Sequence, residues 1–480
     1  MVENSIPNVK KVFLINPPTG ICFRDGRCQG SIELLTVQPE RIPMELAYMA
    51  ALVQEKGINV RLRDFPIERG TWEDVKLELK AFSPDLLIIS VGTPTVDYDL
   101  SVCELAKNIN PSIITLAKGA HFDIFDKESL GKFSHLDIVI RHEVEAAMRD
   151  LLEEGNIDRI PGISYRGEGN RIIRNPNRKI FKDLDSLPFP ARNLLKNHLY
   201  KRPDTGEPLT VVMTSRGCPF RCTFCLAGEL SDYNLIMRDP FKVVDEVEEC
   251  VVKYNIKHFF FYADTFTYKK EWVITLCGEI VKRGLRIKWG ANSRADTLDE
   301  DRIKAMKNSG CEVLGFGLES GRQETLNKSK KGIKLQDSEN AIRLCKKYKI
   351  KSYMVFMIGF PWETREHILD TIEFAIKLDG DFADFTVVYP YPGTELYQMA
   401  KEMELFDETK LCGHDISRAM QKTEYLSTEE LTSLRKYAIR RFYLRPGYIV
   451  KKLAQIRTPS EFRGYFSKGI HILKDIILKK

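Results

Sequence analysis

The sequence predicts an α/β protein: an N-terminal doubly wound parallel sheet, then a partial barrel of six β/α units, then a basic helical C-terminal region. Three observations predict it. Short apolar runs bounded by turn residues alternate with amphipathic stretches over residues 9–150, the pattern of buried parallel strands joined by crossover helices. The alternation restarts at Leu209 after a proline-punctuated interval. A chain of 480 residues is too long for one ordinary hydrophobic core, so it divides.

In the first region the strand candidates are KVFLINPP, INVRLRDF, DLLIISVGT, SIITLAKGAH and LDIVIRHE, and the helix candidates include ELAYMAALVQEKG, WEDVKLELKAF and SVCELAKNI. Ligands in such sheets bind beyond the carboxyl ends of the strands. Those ends are NPPTG, RDFP, SVGTPT, KGAH and RHEVE, all loop-like. Residues 151–207 read as a connector, with two β-like runs around GEGN and a linker, LDSLPFPARNLL. Residues 208–400 hold the second series: LTVVMTS, HFFFYAD, IKWGAN, CEVLGFGLES, KSYMVFMIGFP and FADFTVVYPYPG. The helix opening DPFKVVDEVEECVVKY has Asp239 placed to cap it and Pro240 in its first turn. Six units suit an open barrel, with chemistry where strands end and loops begin.

Residues 401–480 carry the charge. From Leu431 onward there are 13 Lys or Arg against two acidic residues, although the whole chain is only +6. LRKYAIRRFYLRPGYIVKKLAQI mixes cations with aromatic and aliphatic residues at helical spacing. That pattern suits either a solvated helical cap or an interfacial helix facing anionic lipid. No apolar run approaches the roughly 20 residues that span a bilayer, and no secretory leader opens the chain. Eleven cysteines are too few for a disulfide scaffold of this length, so a reducing cytoplasmic location is expected, with peripheral membrane contact through the tail as an option.

Three of those cysteines stand apart. GCPFRCTFC places Cys218, Cys222 and Cys225 at spacings of four and three, directly after the first strand of the second series. A closed zinc site needs a fourth protein ligand, and no nearby Cys or His offers a paired spacing. Three thiolates on one tight loop favour a 4Fe-4S cluster with one iron open. Of the others, Cys103, Cys250, Cys277, Cys311, Cys345 and Cys412 read as single buried thiols, while Cys22 and Cys28 flank a charged loop.

The Cys-x3-Cys-x2-Cys pattern, with Phe224 before the last cysteine, resembles the signature of the radical S-adenosylmethionine superfamily. The resemblance implies that S-adenosylmethionine chelates the open iron and, on one-electron reduction, yields a 5′-deoxyadenosyl radical that abstracts hydrogen from a substrate. It also implies a low-potential electron donor of the flavodoxin or ferredoxin type. Further stretches match in order. GFGLESG aligns Gly317, Glu319 and Ser320 with cofactor-holding positions; NSRAD aligns Arg294 with a carboxylate-pairing one; MIGFPWET aligns Ile358 to Pro361 with backbone near adenine; and Asp264 in YADTFT points to the barrel mouth. Arg294 and Asp264 read equally well as structural ion-pair members.

The preceding doubly wound domain resembles, more narrowly, the cobalamin-binding subclass of that superfamily, with a Rossmann-like cobalamin domain. Such domains often carry Asp-x-His-x-x-Gly, whose His ligates cobalt. Here the matched stretch is DFPIERG: Asp64 is present, Pro66 replaces the His, and Gly70 falls one place late. Cobalamin without a lower His ligand is therefore implied. Thr19, Ser90, Gly92, Thr93, Thr95, Gly119, His121 and Glu143 match positions around the corrin and its nucleotide tail. His121 and His142 read as hydrogen-bonding loop residues, since neither has a paired metal spacing.

The expected activity is cobalamin-dependent methyl transfer to an unactivated carbon of a small or lipid-like substrate, with a non-methylating cyclase or coupling enzyme as the alternative. An iron–sulfur electron carrier would want a fourth ligand. A methylthiotransferase would want three more cluster cysteines in the first domain, and Cys22, Cys28 and Cys103 are poorly placed for that. No nucleic-acid partner is expected. The residue that acts catalytically on substrate has no local signature.

Overall fold

The computed structural model describes residues 9–20, 22–25, 28–31, 41–154, 156–202, 205–411 and 418–455. Two compact units emerge, the first reaching Tyr200 and the second beginning at Lys201.

The first unit is built on a seven-stranded sheet. Its strands are β1 (Lys11–Asn16), β2 (Asn59–Asp64), β3 (Leu86–Ser90), β4 (Ile114–Lys118), β5 (Ile138–Ile140), β6 (Ile163–Arg166) and β7 (Ile172–Arg174). The order is β2-β1-β3-β4-β5-β6-β7. The first five are mutually parallel, as the continuous apolar runs require: all five residues of β3 and all of β4 are buried. β6 and β7 join antiparallel, so the β-like runs around GEGN extend this sheet and make it mixed. Arg141, fully buried, secures the junction by donating to the Ile163 carbonyl at 3.2 Å. Chain order reverses between β1 and β3, which makes the crevice beyond their carboxyl ends the switch point where open α/β sheets bind ligands. A short hairpin, Cys22–Asp25 with Cys28–Ser31, follows β1; the charged sequence CFRDGRC gave no alternation to predict it.

The second unit carries β8 (Leu209–Met213), β9 (His258–Tyr262), β10 (Lys288–Ser293), β11 (Cys311–Glu319), β12 (Lys351–Ile358) and β13 (Phe382–Val387). They pair in chain order, all parallel, as an open six-stranded sheet. Aromatic packing fills the core beneath β9 and β10, where Phe261 lies 4.9 Å from Trp289 and Phe266 5.3 Å from it. Helix Pro240–Tyr254 starts as expected: Asp239 accepts from the Phe241 N–H at 2.7 Å, and Pro240 occupies the first turn.

The edge at β13 is covered by helix Thr428–Tyr443. Tyr443 bridges the backbone of Ala383, and Arg435 donates to the Phe385 carbonyl at 2.9 Å. In helix Pro446–Gln455, Lys451 pairs with Asp379 and Lys452 with Asp381. Through residue 455 the basic region thus works as a cap on a sheet edge, which would otherwise present unpaired backbone. Residues 456–480, which hold the rest of the basic tail, lie outside the described residues, as do Cys412 and the side chains of Cys22 and Cys28. No helix among the described residues is long and apolar enough to cross a membrane.

Candidate functional site

The cysteine loop leaves β8 and is tied down from several sides. The Cys218 N–H donates to Ser231 Oγ at 3.2 Å, the Cys225 N–H to the Cys222 carbonyl at 3.2 Å, and the Thr223 N–H to the Ser329 carbonyl at 3.0 Å. In return the Thr223 carbonyl accepts from the Leu396 N–H at 2.8 Å. These bonds hold three partly exposed thiols on one loop. By contrast Cys103, Cys250, Cys277, Cys311 and Cys345 are buried, as expected for structural thiols; burial pushes Cys103, Cys277 and Cys345 up to about 12.

The other predicted residues gather around this loop. Arg294 lies over the Phe220 ring, 3.5 Å from its centre, forks onto Asp296 with two bonds of 3.0 Å, and donates to the Lys331 carbonyl at 2.9 Å. Lys331 in turn makes a buried ion pair with Glu319 at 2.8 Å. Burial opposes its charge, but Glu319 and the nearby Cys222 more than offset that and raise the Lys331 pKa. Glu319 closes β11 with a positive φ of 62° at a register shift, the sort of backbone strain that gathers at working sites. Gly317 is what lets the pair form. A Cβ there would run into Glu319 Oε1 and come within 3.0 Å of Lys331 Nζ.

Ser320 is fully buried, with Oγ 3.1 Å from Thr371 Oγ1, and accepts from the Arg322 N–H. Phe224 meets Phe360 edge-on at 5.9 Å, and Phe360 stacks on Trp362 at 5.2 Å. This seats the cysteine loop against the segment Ile358 to Pro361. That segment is shaped by Glu363, which accepts from the N–H groups of Gly359 and Phe360 at 2.8 and 3.2 Å; burial lifts its pKa to about 7. Gln421 donates to the Gly359 carbonyl and Thr423 to that of Glu363, so the C-terminal region braces the same loop. Asp264 stands near Cys218, whose thiol burial and this carboxylate both push up.

Sequence reasoning missed Lys331, Phe220, Glu363 and Gln421. Lys331 sits in NKSKKGI, which reads as a solvated basic run; only the fold buries it. Glu363 had a local signal, as the acid beside the Gly and Pro of MIGFPWET.

The donor set suits a cluster. Among the described residues, no three His, Cys, Asp or Glu side chains are drawn tightly enough to hold a single metal ion. A cubane spreads its ligands more widely than one ion does, and thiolates on a single loop are its usual holders. Cys218, Cys222 and Cys225 would hold it. When bound, the cluster and S-adenosylmethionine supply the radical that starts the reaction. The chain's part is to position and to shield: Phe224, Phe360 and Trp362 form an apolar wall beside the loop, and the Arg294, Lys331 and Glu319 charges are fixed in advance by mutual pairing.

In the first unit the carboxyl ends of β1 and β3 meet at Asp99. This fully buried carboxylate accepts from Thr19 Oγ1 at 2.6 Å, Arg24 Nη2 at 2.9 Å, Thr95 Oγ1 at 2.5 Å and the Gly92 N–H at 3.3 Å. Arg24 also donates to Thr19. Neither Arg24 nor Asp99 was singled out from sequence, because they lie 75 positions apart in unremarked stretches. Thr19, Gly92 and Thr95 thus converge, with Ser90 and Thr93 buried alongside.

His121 opens helix His121–Lys132, 3.4 Å from Thr93 Oγ1; burial drives its pKa down to about 4, so the ring is neutral. Gly119 takes φ 149°, where a Cβ would strike the Val91 carbonyl; the close approach it permits is between strands. The His142 backbone N–H donates to Asp123 at 2.7 Å, and Glu143, buried, precedes helix Val144–Glu153 without a side-chain capping bond.

Asp64 closes edge strand β2, within electrostatic reach of Arg24. Its carboxyl accepts from Asn16 Nδ2 at 3.2 Å and Tyr200 Oη at 2.9 Å, and burial raises its pKa to about 6. The switch-point loops, residues 17–20 and 91–95, contain no histidine. Their backbone and hydroxyls, two of which donate to Asp99, would line the amide-rich edge of a corrin.

An open-iron cysteine loop on a six-stranded partial barrel, preceded by a doubly wound ligand-binding unit, defines a two-module radical enzyme. Comparison with known proteins makes this specific. Residues 212–375 match the family model of the Radical SAM superfamily and residues 30–152 that of the B12 binding domain. An uncharacterized methyltransferase of Pyrococcus horikoshii is 34% identical over 449 residues, covering 93% of this chain and 95% of that protein. The anaerobic magnesium-protoporphyrin IX monomethyl ester cyclase of Rubrivivax gelatinosus is 26% identical over 85% of this chain and 74% of its own length. Among solved structures, the radical S-adenosylmethionine methyltransferase TsrM from Kitasatospora setae, with cobalamin and [4Fe-4S] cluster bound, superposes with TM-score 0.69 at 16% identity, over 98% of this chain and all of that one. The chain belongs to the cobalamin-binding radical S-adenosylmethionine family. It is an enzyme of the methyltransferase kind that uses a 4Fe-4S cluster, S-adenosylmethionine and cobalamin.

Proposed function

We propose that the protein methylates an unactivated carbon of a small or lipid-like substrate, with the cofactor-holding roles laid out residue by residue. Cys218, Cys222 and Cys225 ligate the cluster. Glu319, Ser320 and Arg294 receive the polar parts of S-adenosylmethionine, with Gly317 leaving room for them, while Phe224 and Ile358 to Pro361 flank its adenine and Asp264 faces the barrel mouth. Thr19, Ser90, Gly92, Thr93, Thr95, Gly119, His121 and Glu143 line the corrin and its tail, and Asp64 acts from the neighbouring edge strand. The lower face of cobalt is free of histidine. The observation that carries the reading is the loop that holds three partly exposed cysteines, joined in one chain to a sheet that matches the B12 binding domain.

A low-potential flavodoxin- or ferredoxin-type protein supplies the electron, and residues 456–480, with their cations and aliphatics, give peripheral contact with anionic membrane. The test is anaerobic turnover of lipid and tetrapyrrole fractions with methyl-deuterated S-adenosylmethionine. A product that has gained a deuterated methyl group supports the proposal. Formation of 5′-deoxyadenosine with a product that has only lost hydrogen selects the cyclase reading instead, which the Rubrivivax relative favours.

A further inference from the structure

Buried polar groups without partners are uncommon, because each costs the desolvation of a group that makes no bond. Among the described residues three such hydroxyls belong to the cysteine loop or its surroundings: Ser215, Thr223 and Thr265. Thr265 is the one set against a cysteine. It lies in the turn after β9, 1% exposed. The turn is fixed by the Phe266 N–H on the Asn292 carbonyl at 3.1 Å and the Tyr268 N–H on the Thr265 carbonyl at 3.3 Å. Tyr268 meets Phe220 of the cysteine loop edge-on at 6.0 Å, so turn and loop are packed together. Within that contact the Thr265 hydroxyl is beside the Cys218 thiol and interacts with it, yet it makes no properly aligned hydrogen bond to any atom.

A hydroxyl both orphaned and adjacent to a cluster ligand has an evident use. We propose that Thr265 donates a hydrogen bond to the Cys218 sulfur once the cluster is bound, and so raises the cluster's reduction potential. The inference rests on the cluster reading above. The physical cause is charge: reduction adds one electron to the cluster from an external low-potential carrier, which is oxidised by one electron. A donor to a ligating sulfur stabilises the more negative form. Asp264, one residue earlier, places negative charge near the same sulfur and acts the other way, so the hydroxyl offsets a local cost. Thr265 is a positioning residue, with no contact to substrate implied.

The experiment is an anaerobic potentiometric titration of the reconstituted full chain, read by electron paramagnetic resonance, with iron counted in every sample. Thr265→Val is expected to keep its iron and to lower the ratio of reduced to oxidised cluster about tenfold at a fixed donor potential, equivalent to 59 mV for one electron. Thr265→Ser keeps the donor and restores the wild-type potential. Ser338→Ala removes another buried, unpartnered hydroxyl, on helix Leu335–Tyr348, and leaves the potential unchanged. If the valine variant does not load, Thr265→Ala removes the hydroxyl with no added methyl and reads the same shift. An unaltered potential in an iron-replete valine or alanine variant overturns the inference. Wild-type protein that takes up no iron overturns the cluster reading instead.

Discussion

At the carboxyl end of β8 the side chains are arranged around something to be received: three accessible thiols, an orphaned hydroxyl, and an Arg294, Lys331 and Glu319 charge network whose members hold one another in place. At the carboxyl ends of β1 and β3 the loops are closed on themselves, with Asp99 taking bonds from two loops and a hairpin. In the proposed assignment the first site gives its protein ligands to the cofactor. The second spends the Thr19 and Thr95 hydroxyls on its own walls, with Ser90 and Thr93 buried alongside. The contrast follows from chemistry: a cluster would be held by covalent sulfur bonds, whereas a corrin bound as proposed, without a protein imidazole, would be held by shape and many weak contacts.

The sharpest way to break the comparison is to remove one sulfur. Cys222→Ser is expected to bring cluster iron and 5′-deoxyadenosine formation to background while cobalamin binding persists, measured by metal counts after anaerobic reconstitution. In the first unit the corresponding blow is to Asp99. Asp99→Ala breaks the buried ion pair with Arg24, which is 5% exposed, and breaking such a pair costs about 3–5 kcal/mol. Denaturant melting should show that loss, with corrin binding falling and cluster content unchanged. If iron falls together with corrin, the two sites are not separable in the way described.

Smaller changes sharpen the picture. Gly317→Ala forces a methyl group against the Glu319–Lys331 pair; overpacking of this kind costs about 1–3 kcal/mol. It should weaken S-adenosylmethionine binding, measured by equilibrium dialysis, with the cluster intact.

Asp64 makes a pH prediction. Its folded pKa, about 6 through burial, lies above its unfolded value near 3.9. The native state therefore binds the extra proton, and the contribution to stability is full below about pH 4 and lost as pH rises to about 6, at about 1.4 kcal/mol per pH unit. Asp64→Asn should flatten that part of the stability–pH curve in urea melts. Asp239→Ala, which uncaps helix Pro240–Tyr254, should cost about 1 kcal/mol in the same melts.

The same contrast explains what could be read from the chain. The cluster loop is local: three cysteines within eight positions, after an apolar strand, state their chemistry without any fold. The strand ends that gather around it are legible in order because each closes a clear apolar run. Lys331 and Gln421 are not legible, since one looks like part of a solvated lysine run and the other reaches the Gly359 carbonyl from 62 positions away. The first unit repeats the lesson. Its parallel strands announce themselves, yet the pair that fixes the switch point, Arg24 and Asp99, exists only once hairpin and helix are folded. Asp64 stands out in the sequence for its place in DFPIERG; folding puts it on edge strand β2, bonded to Tyr200 and Asn16, one strand from the crevice.

The central claim is that one chain holds an open-iron cluster and a corrin without a protein imidazole. Its most direct test is an anaerobic absorption spectrum of the reconstituted protein with iron and cobalt counted per chain. The account predicts about four iron atoms and one cobalt, with the corrin band unchanged by His121→Ala. Iron without cobalt, or a corrin band that shifts when that imidazole is removed, would contradict it.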